Sequence, residues 1–239
     1  MAALTYSTYL SSLANLMVVD VTSTTFLADV PNIISDASLR IYRDLDLLNT
    51  VVRDSSTAVS TGTRTFNLPS ANGTFVVLED INIITPAGQS NPDSGTRNPL
   101  TPASKEMLDY LFPSATASSV PQFFAMVSQS TVVFGPWPDQ AYQAEVVGTI
   151  RPADLSPTVT TTLLSVYFPD LLLSASMVRA AAFLKNYGSA SDDPKMAISW
   201  DAHYGTELAA ARTEENRKKF FEAGWSIKEP APDATPPRT

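Results

Sequence analysis

The side chains that could carry out chemistry are few in this chain and lie far apart. His203 is the only histidine, and cysteine is absent. Without cysteine, disulfides, thiolate-ligated zinc and iron–sulfur clusters are excluded, and one histidine cannot build a multi-histidine metal site. No serine or cysteine nucleophile motif accompanies His203, so we predict a structural histidine, packed or partly exposed, between Trp200 and Tyr204.

Three pairs of neighbouring carboxylates could act as acid and base: Glu79-Asp80, Asp192-Asp193 and Glu214-Glu215. Residues adjacent on a helix do not share a face, which makes Glu214-Glu215 a poor catalytic pair. Helix capping explains Asp192-Asp193, and a β turn or an exposed strand edge explains Glu79-Asp80. Phosphate-binding glycine loops and the HExxH, GxSxG and EF-hand patterns are also absent, so we expect no enzyme activity, no metal and no cofactor.

Two further patterns have ordinary structural explanations. Phe134, Trp137 and Tyr142 surround Gly135-Pro136 and could form a ligand platform, but core packing at the end of a hairpin explains them better. Asn72-Gly73-Thr74 fits a glycosylation site, but without a secretory signal it is better explained as a turn.

The charge balance limits the partners of the protein. Sixteen Lys and Arg against 24 Asp and Glu give a net charge of −8 across 239 residues. This disfavours sequence-independent binding to nucleic acid or to an anionic membrane, because both need clustered cations. No run of about 18 apolar residues is present, so no transmembrane helix is expected. Only 17% of the residues are charged, while serine and threonine are frequent, which suits faces buried against neighbouring proteins.

Helical spacing marks both ends of the chain. It predicts a first helix over residues 6–17 with Thr5 as N-cap, and a second helix that begins at Pro31. A largely apolar core helix is predicted to start at Pro169 or Asp170 and to end at Gly188. A last helix is predicted to begin at Asp193-Pro194 and to end at about Phe221. On the second helix, Asp36 and Arg40 have the spacing of an i,i+4 ion pair.

Between about 50 and 155 the apolar pattern changes to the two-residue period of strands. Strands are predicted over 63–69, 75–86 and 142–150, and a hairpin is predicted with the loop Ser128-Gln129-Ser130. Residues 88–99 are predicted as a loop, followed by a short helix from Pro102 to Leu111.

The segment after Gly224 has prolines at 230, 232, 236 and 237, which disfavour both helix and strand. We predict an extended, polyproline-like arm that lies on a partner or stays disordered, with Trp225 and Ile227 as its apolar anchors.

The order of these elements predicts an α+β fold: mainly a helical bundle, with an inserted small antiparallel β section and an extended C-terminal arm. We assign residues 1–49 to the N-terminal helices of the bundle and 50–158 to a β-rich domain with a short helix. Residues 159–223 form the C-terminal helices of the bundle, and 224–239 form the arm.

Several short motifs follow one another along the chain: Arg40-Ile41-Tyr42-Arg43, Pro99-Leu100-Thr101, Pro121-Gln122-Phe123-Phe124-Ala125, Pro136-Trp137-Pro138-Asp139 with Tyr142, and Pro169-Asp170-Leu171-Leu172-Leu173. In this order they resemble the head-to-tail adaptor proteins of short-tailed bacteriophages. The resemblance covers roughly residues 30–190. Phe124 stands where the family commonly has Tyr, and the loop at 88–98 has no counterpart there.

The resemblance implies a structural virion protein of the neck, assembled in the host cytoplasm. It implies a homo-oligomeric ring of about twelve copies that docks on the portal protein. The ring would extend the DNA channel and attach a tail nozzle or tail-tube protein. Genomic DNA would pass without specific binding, and no membrane is involved. The family has a C-terminal arm that reaches along the portal, but the resemblance does not extend to the residues of this arm. From the composition of the arm we expect it to bind the portal through Trp225, Ile227, Lys228, Pro230 and Pro232.

Two alternatives remain open at this point. The chain could be another neck component, such as a head-closure or tail-joining protein with similar elements. A reading from a different class is a small-ligand-binding or hydrolytic protein whose site lies between subunits. Formation of a ring, or binding to a portal, would distinguish the adaptor and the other neck components from a small-ligand-binding or hydrolytic protein. The order of rings in a virion neck would distinguish the adaptor from the other neck components.

Overall fold

The computed structural model describes residues 4–183 and 196–224. It confirms an α+β fold, in which the described residues divide into two compact units. Residues 49–153 form the β unit. The described residues before 49 and after 153 form the helical unit.

The secondary-structure elements are numbered here in chain order. In the described residues the helices are α1 (Tyr6–Met17), α2 (Thr24–Asp44), α3 (Lys105–Leu111), α4 (Leu163–Tyr167), α5 (Pro169–Phe183) and α6 (Met196–Gly224). The strands are β1 (Val51–Asp54), β2 (Ala58–Val59), β3 (Thr65–Asn67), β4 (Thr74–Thr85), β5 (Thr96–Pro99), β6 (Thr101–Pro102), β7 (Ser118–Ser119), β8 (Phe123–Ser128), β9 (Thr131–Gly135), β10 (Trp137–Pro138) and β11 (Tyr142–Arg151). Short 3-10 helices occur at Leu48–Thr50 and Pro92–Ser94.

Helix α1 has the bounds that its sequence predicts. Thr5 is the N-cap, and its hydroxyl accepts a hydrogen bond from the backbone N–H of Thr8 at 3.3 Å. Leu13 lies in the helical core, and the buried Tyr9 hydroxyl donates a hydrogen bond to Ser176 of α5 at 2.8 Å. Burial raises the pKa of Tyr9. Apolar contact and this buried hydrogen bond together hold α1 against α5.

The C-cap of α1 is Val18, a β-branched residue in the left-handed conformation with φ of 54°. A residue with a Cβ atom is less stable in this conformation by about 1–2 kcal/mol, which is why glycine is the usual residue here. The Val18 side chain is 92% exposed, so it gains almost no burial that would offset this strain.

Replacing Val18 by glycine is therefore expected to stabilise the helical unit, by about 1 kcal/mol. Urea unfolding followed by circular dichroism measures the change. Val21→Gly is the matched control, because Val21 is also an exposed valine of this corner but has no positive φ. A loss of stability at position 18, or an equal gain at position 21, would contradict the strain argument.

Helix α2 begins at Thr24, so the predicted start at Pro31 is wrong: Pro31 lies inside the helix. The additional N-terminal turns bury Phe26 and Val30 in the same core as Ile33. The free energy gained by this burial offsets the cost of the backbone hydrogen bond that is lost because a proline has no N–H to donate.

Helix α5 is the central helix of the helical unit, as its apolar sequence predicts. It contacts α1, α2, α4 and α6, and Leu171, Leu172, Ala175, Met177 and Ala180 are buried. The predicted end of this helix at Gly188, and the predicted start of the last helix at Asp193-Pro194, lie outside the described residues.

The β unit contains two main sheets. One has the strand order β1-β11-β4-β5, with β2 also paired to β11, and the other has the order β3-β9-β8-β6. Strands β4 and β11 pair antiparallel from Gln143 opposite Ile84 to Arg151 opposite Thr74. One face of β11 is buried in the core of the β unit, where Ala144, Val146 and Ile150 lie with Ile81 and Ile83.

Two register shifts in this pairing leave Val76 and Glu79 of β4 without a residue opposite, as in β-bulges. At the shift beside Glu79, the backbone of Gly148 approaches the backbone carbonyl of Val77 so closely that a Cβ atom on residue 148 would clash. Glu79-Asp80 therefore lies at a bulge within a paired strand, and not in a β turn.

Three boundaries in the β unit differ from the prediction. Thr101–Pro102 pairs with β8, so α3 begins only at Lys105, with Ser104 as its N-cap. The predicted loop ends earlier, because Thr96–Pro99 pairs with β4. Ser128 lies opposite Thr131, which shortens the hairpin turn to residues 129–130. In the first two cases another strand supplies hydrogen-bond partners that local composition does not reveal, and in the third the hairpin pairing extends one residue further into the turn.

Candidate functional site

The residues that carry the family resemblance lie in both units. In the helical unit they are Arg40, Tyr42, Arg43, Pro169 and Asp170, and in the β unit they are Pro121, Phe124, Pro136, Pro138, Asp139 and Tyr142. In the helical unit, Arg40, Pro169 and Asp170 lie beside helix α6. In the β unit, the motif residues lie in or near the hairpin of β8 and β9.

Arg40 lies at the centre of a polar cluster between α2 and α6. Its guanidinium group is 2.6 Å from the carboxylate of Asp201 and 4.0 Å from the ring centroid of Tyr204. The Tyr204 hydroxyl donates a hydrogen bond to Asp44 at 2.8 Å. Burial, together with this carboxylate, raises the pKa of Tyr204. The cluster thus holds the C-terminal part of α2 against α6.

The predicted ion pair between Asp36 and Arg40 is wrong, because Asp36 pairs with Arg179 of α5 at 3.1 Å. Tyr42 is partly buried and packs against the helical core. The side chain of Arg43 is exposed, and it makes no ion pair or hydrogen bond with any part of the chain that the structure describes.

Helix α6 also binds residues 44–48, the segment that follows α2 and precedes the β unit. Arg212 donates to the backbone carbonyl of Asp44 at 2.9 Å, and Lys219 pairs with Asp46. The buried carboxylate of Glu215 accepts the backbone N–H of Leu48 at 3.0 Å. These contacts fix residues 44–48 on one flank of α6.

The opposite flank of α6 borders a groove of about 200 Å³ at the start of α5, called here the acidic groove. Tyr167, Phe168, Pro169 and Leu171 form its apolar wall, and Asp170, Glu207 and Glu214 form its rim. Lys218 lies at one end, 2.8 Å from Glu214 and 2.7 Å from the buried Glu215. Glu214 and Glu215 therefore share one cation, which adjacent positions on a helix did not predict.

In the β unit the aromatic motif residues are packed and are not arranged as a ligand platform. Phe134 is fully buried, with its ring centroid 5.4 Å from that of Phe66. The indole N–H of Trp137 donates to the backbone carbonyl of Phe112 at 3.1 Å. The hydroxyl of the buried Tyr142 donates to Asp139 at 2.7 Å, and burial with this bond raises the pKa of Tyr142 to about 12.

Pro121, Phe124 and Pro138 are buried around the same hairpin, whereas Pro136 is half-buried. Beside them, Arg64 donates to the backbone carbonyl of Phe134 at 3.0 Å and to Asp109 of α3 at 2.6 Å. The hydrogen bonds from Lys105 and Arg64 lower the pKa of Asp109. These contacts attach α3 to the strands beneath it.

A buried ion cluster in the β unit was not predicted from the sequence. Glu145, on the face of β11 opposite the core, is only 1% exposed. Arg97 of β5 donates to both of its carboxylate oxygens, at 3.0 and 3.2 Å, and Asn82 donates to one at 3.2 Å. Arg97 also binds Asp93 at 2.6 Å. The sequence pattern of β11 carries no signal of this cluster, because the pairing of β5 with β4 is what brings Arg97 to Glu145.

A family model described as the SU10 adaptor protein matches residues 4–223, which span both units. The chain belongs to the SU10 adaptor protein family. The match confirms the resemblance of the short motifs: the protein is a head-to-tail adaptor, a structural protein of the bacteriophage virion. No curated protein matches the chain.

Membership in the SU10 adaptor family implies a place in the virion neck and association with portal and tail components in an oligomeric assembly. Among the residues that the structure describes, no helix is both long and apolar enough to cross a membrane.

The residues considered for chemistry do not converge in this SU10 adaptor. His203 is half exposed, 3.9 Å from Glu207 and beside Trp200. Within residues 4–183 and 196–224, no three His, Cys, Asp or Glu side chains are grouped to hold a metal ion. The N–H of Gly73 bonds to the Ser70 carbonyl at 3.3 Å, which closes the predicted turn. Asp192-Asp193 lies outside the described residues.

The predicted arm also lies outside the described residues, including Trp225, Ile227, Lys228, Pro230 and Pro232. Its role therefore stays a prediction.

Proposed function

We propose that this SU10 adaptor protein forms a ring of about twelve copies that docks on the portal of the capsid. The ring extends the DNA channel and provides the attachment site for the tail. The observation that carries the proposal is the family match over residues 4–223, which spans both compact units.

The composition supports a ring subunit. In a closed ring, one face of each copy binds a different face of the next. A chain in which only 17% of the residues are charged and many carry hydroxyl groups can form hydrogen bonds there without removing many ions from water. In this proposal the helical bundle forms the ring, and residues 50–158 act as an inserted domain that faces the tail nozzle or tail-tube protein.

The arm, residues 224–239, attaches the ring to the portal. Extended segments bind by laying their backbone and a few anchors on a partner, and prolines reduce the entropy that is lost on ordering. Trp225 and Ile227 are the apolar anchors.

DNA passes through the ring without specific binding. A net charge of −8 suits such a channel, because carboxylates repel phosphates and prevent the genome from sticking to the wall. The protein acts without catalysis, in the virion neck, after assembly in the host cytoplasm.

Light scattering tests the proposal. The mass of the purified chain is measured alone and after mixing with the portal protein encoded in the same genome. We expect the portal to gain a multi-copy ring of this chain. A portal that gains no copies would overturn the proposal. A ring that binds another neck ring but not the portal would instead assign the chain to head closure or tail joining.

A further inference from the structure

The helical unit has two chemically different surfaces on the two flanks of α6. Tyr204, Leu208, Ala211 and Glu215 are buried and mark the line along which α6 faces the core. On one side of this line, Asp201, Arg212 and Lys219 contact α2 and the segment after it. On the other side, Glu207, Ala210 and Glu214 line the acidic groove.

The acidic groove has the chemistry of a cation site. Its rim holds three carboxylates, those of Asp170, Glu207 and Glu214. Its wall includes Tyr167, an aromatic residue that is 56% exposed. Lys218 is the cation at the edge of the groove, with its ammonium 5.7 Å from the Tyr167 ring centroid and 5.2 Å from that of Phe168. One ammonium against three carboxylates leaves the rim negative.

Arg43 is the complementary group on the other flank. It stands in the last turn of α2, the helix that the other flank of α6 contacts, and it is exposed without a partner in the described residues. A guanidinium group binds carboxylates with several donors and also stacks on aromatic rings, so it fits a groove lined by carboxylates and a tyrosine.

We propose that Arg43 of one copy inserts into the acidic groove of the neighbouring copy, so that each groove is completed by a second chain. This inference rests on the proposed ring. A contact that repeats around a ring must join two different faces of the same chain, and Arg43 and the groove lie on opposite flanks of α6. The occupant is thus a second copy, selected by opposite charge.

Charge reversal tests the contact. Arg43→Glu and Glu207→Arg are each expected to lower the amount of ring on the portal at least about tenfold, because like charges then meet at every contact. The double variant, and an equimolar mixture of the two single variants, are expected to regain the ring, since each then offers matching charges. Arg217→Glu is the matched control: Arg217 is exposed on α6 outside the groove, and its reversal is expected to change nothing.

A crosslink tests the contact through distance and not through charge. The chain lacks cysteine, so Arg43→Cys with Glu207→Cys places two unique thiols in each copy. A short bis-maleimide is expected to produce a ladder of dimers, trimers and larger multimers, either on the portal or in concentrated free protein. Arg217→Cys with Glu207→Cys is expected to produce no ladder.

These outcomes separate the inference from the proposed function. If the portal gains copies, yet both single charge reversals assemble normally and no ladder forms, the inference is overturned and the ring stands. If the portal gains no copies but free protein forms the ladder, the ring on the portal is overturned and the contact stands. If neither occurs, both are overturned. Circular dichroism of each variant identifies any that fails to fold, and for such a variant the crosslink decides.

Discussion

Removal of residues 225–239 is expected to abolish binding to the portal and to leave the two compact units unchanged. The cut follows Gly224, so every core residue among the residues that the structure describes is kept. An extended arm contributes its binding energy through a few apolar anchors, and a buried Trp is commonly among the residues whose truncation costs most. Portal binding by the truncated chain is measured by light scattering, and its fold by circular dichroism.

A finer variant locates the effect within the arm. Trp225→Ser with Ile227→Ser in the full chain is expected to weaken portal binding at least about thirtyfold, as loss of an anchor costs about 2 kcal/mol or more. Thr235→Ser with Thr239→Ser is the control and is expected to change little. A truncated chain that binds the portal as tightly as the full chain would discard the role of the arm.

Glu145→Ala is expected to destabilise the β unit by about 3 kcal/mol. The change removes a buried carboxylate: the amide of Asn82 loses this acceptor, and the guanidinium of Arg97 is left to the exposed carboxylate of Asp93. Removal of one member is the costly way to break a buried ion pair. The side chain of Arg97 is 33% exposed, so water can replace part of the lost interaction. For this reason we expect the lower end of the usual range for a broken buried pair.

Trp137 can report this change, because it is the only tryptophan in residues 49–153. Urea unfolding is followed by fluorescence in a Trp200→Phe, Trp225→Phe background. Asp93→Ala is the matched control: it removes the exposed carboxylate that binds the same arginine, and we expect a much smaller loss of stability than for Glu145→Ala, because water screens an exposed pair. Equal effects of the two substitutions would contradict the importance of burial.

Much of the fold follows from local patterns. The helix at 6–17 and its Thr5 cap could be predicted because a cap and an apolar stripe act within a few residues of each other. The strand at 142–150 could be predicted because alternation reports a half-buried strand whatever its neighbours are. The start of α2 could not be predicted in this way. The rule that favours proline at the first turn of a helix takes no account of Phe26 and Val30, which precede Pro31 and are buried in the core.

The candidate site was less predictable than the fold. Asp36 and Arg40 have ideal spacing on one helix, yet each binds another helix, because α5 and α6 bring Arg179 and Asp201 within reach. Glu145 gave no signal in the sequence, and neither did the groove beside Glu207. Such features depend on residues that are distant along the chain and close in space.

The α+β class, the apolar core helix at 169 and the relation to phage adaptors could all be predicted from the chain, because periodicity and ordered motifs are properties of the chain alone. Which charged side chains of the described residues meet, and which stay exposed, depends on how distant elements pack. Packing of α6 across the end of α2 brings Arg40 to Asp201 and leaves Arg43 exposed. An ion pair depends on distance and burial, and both are set when separate elements pack together.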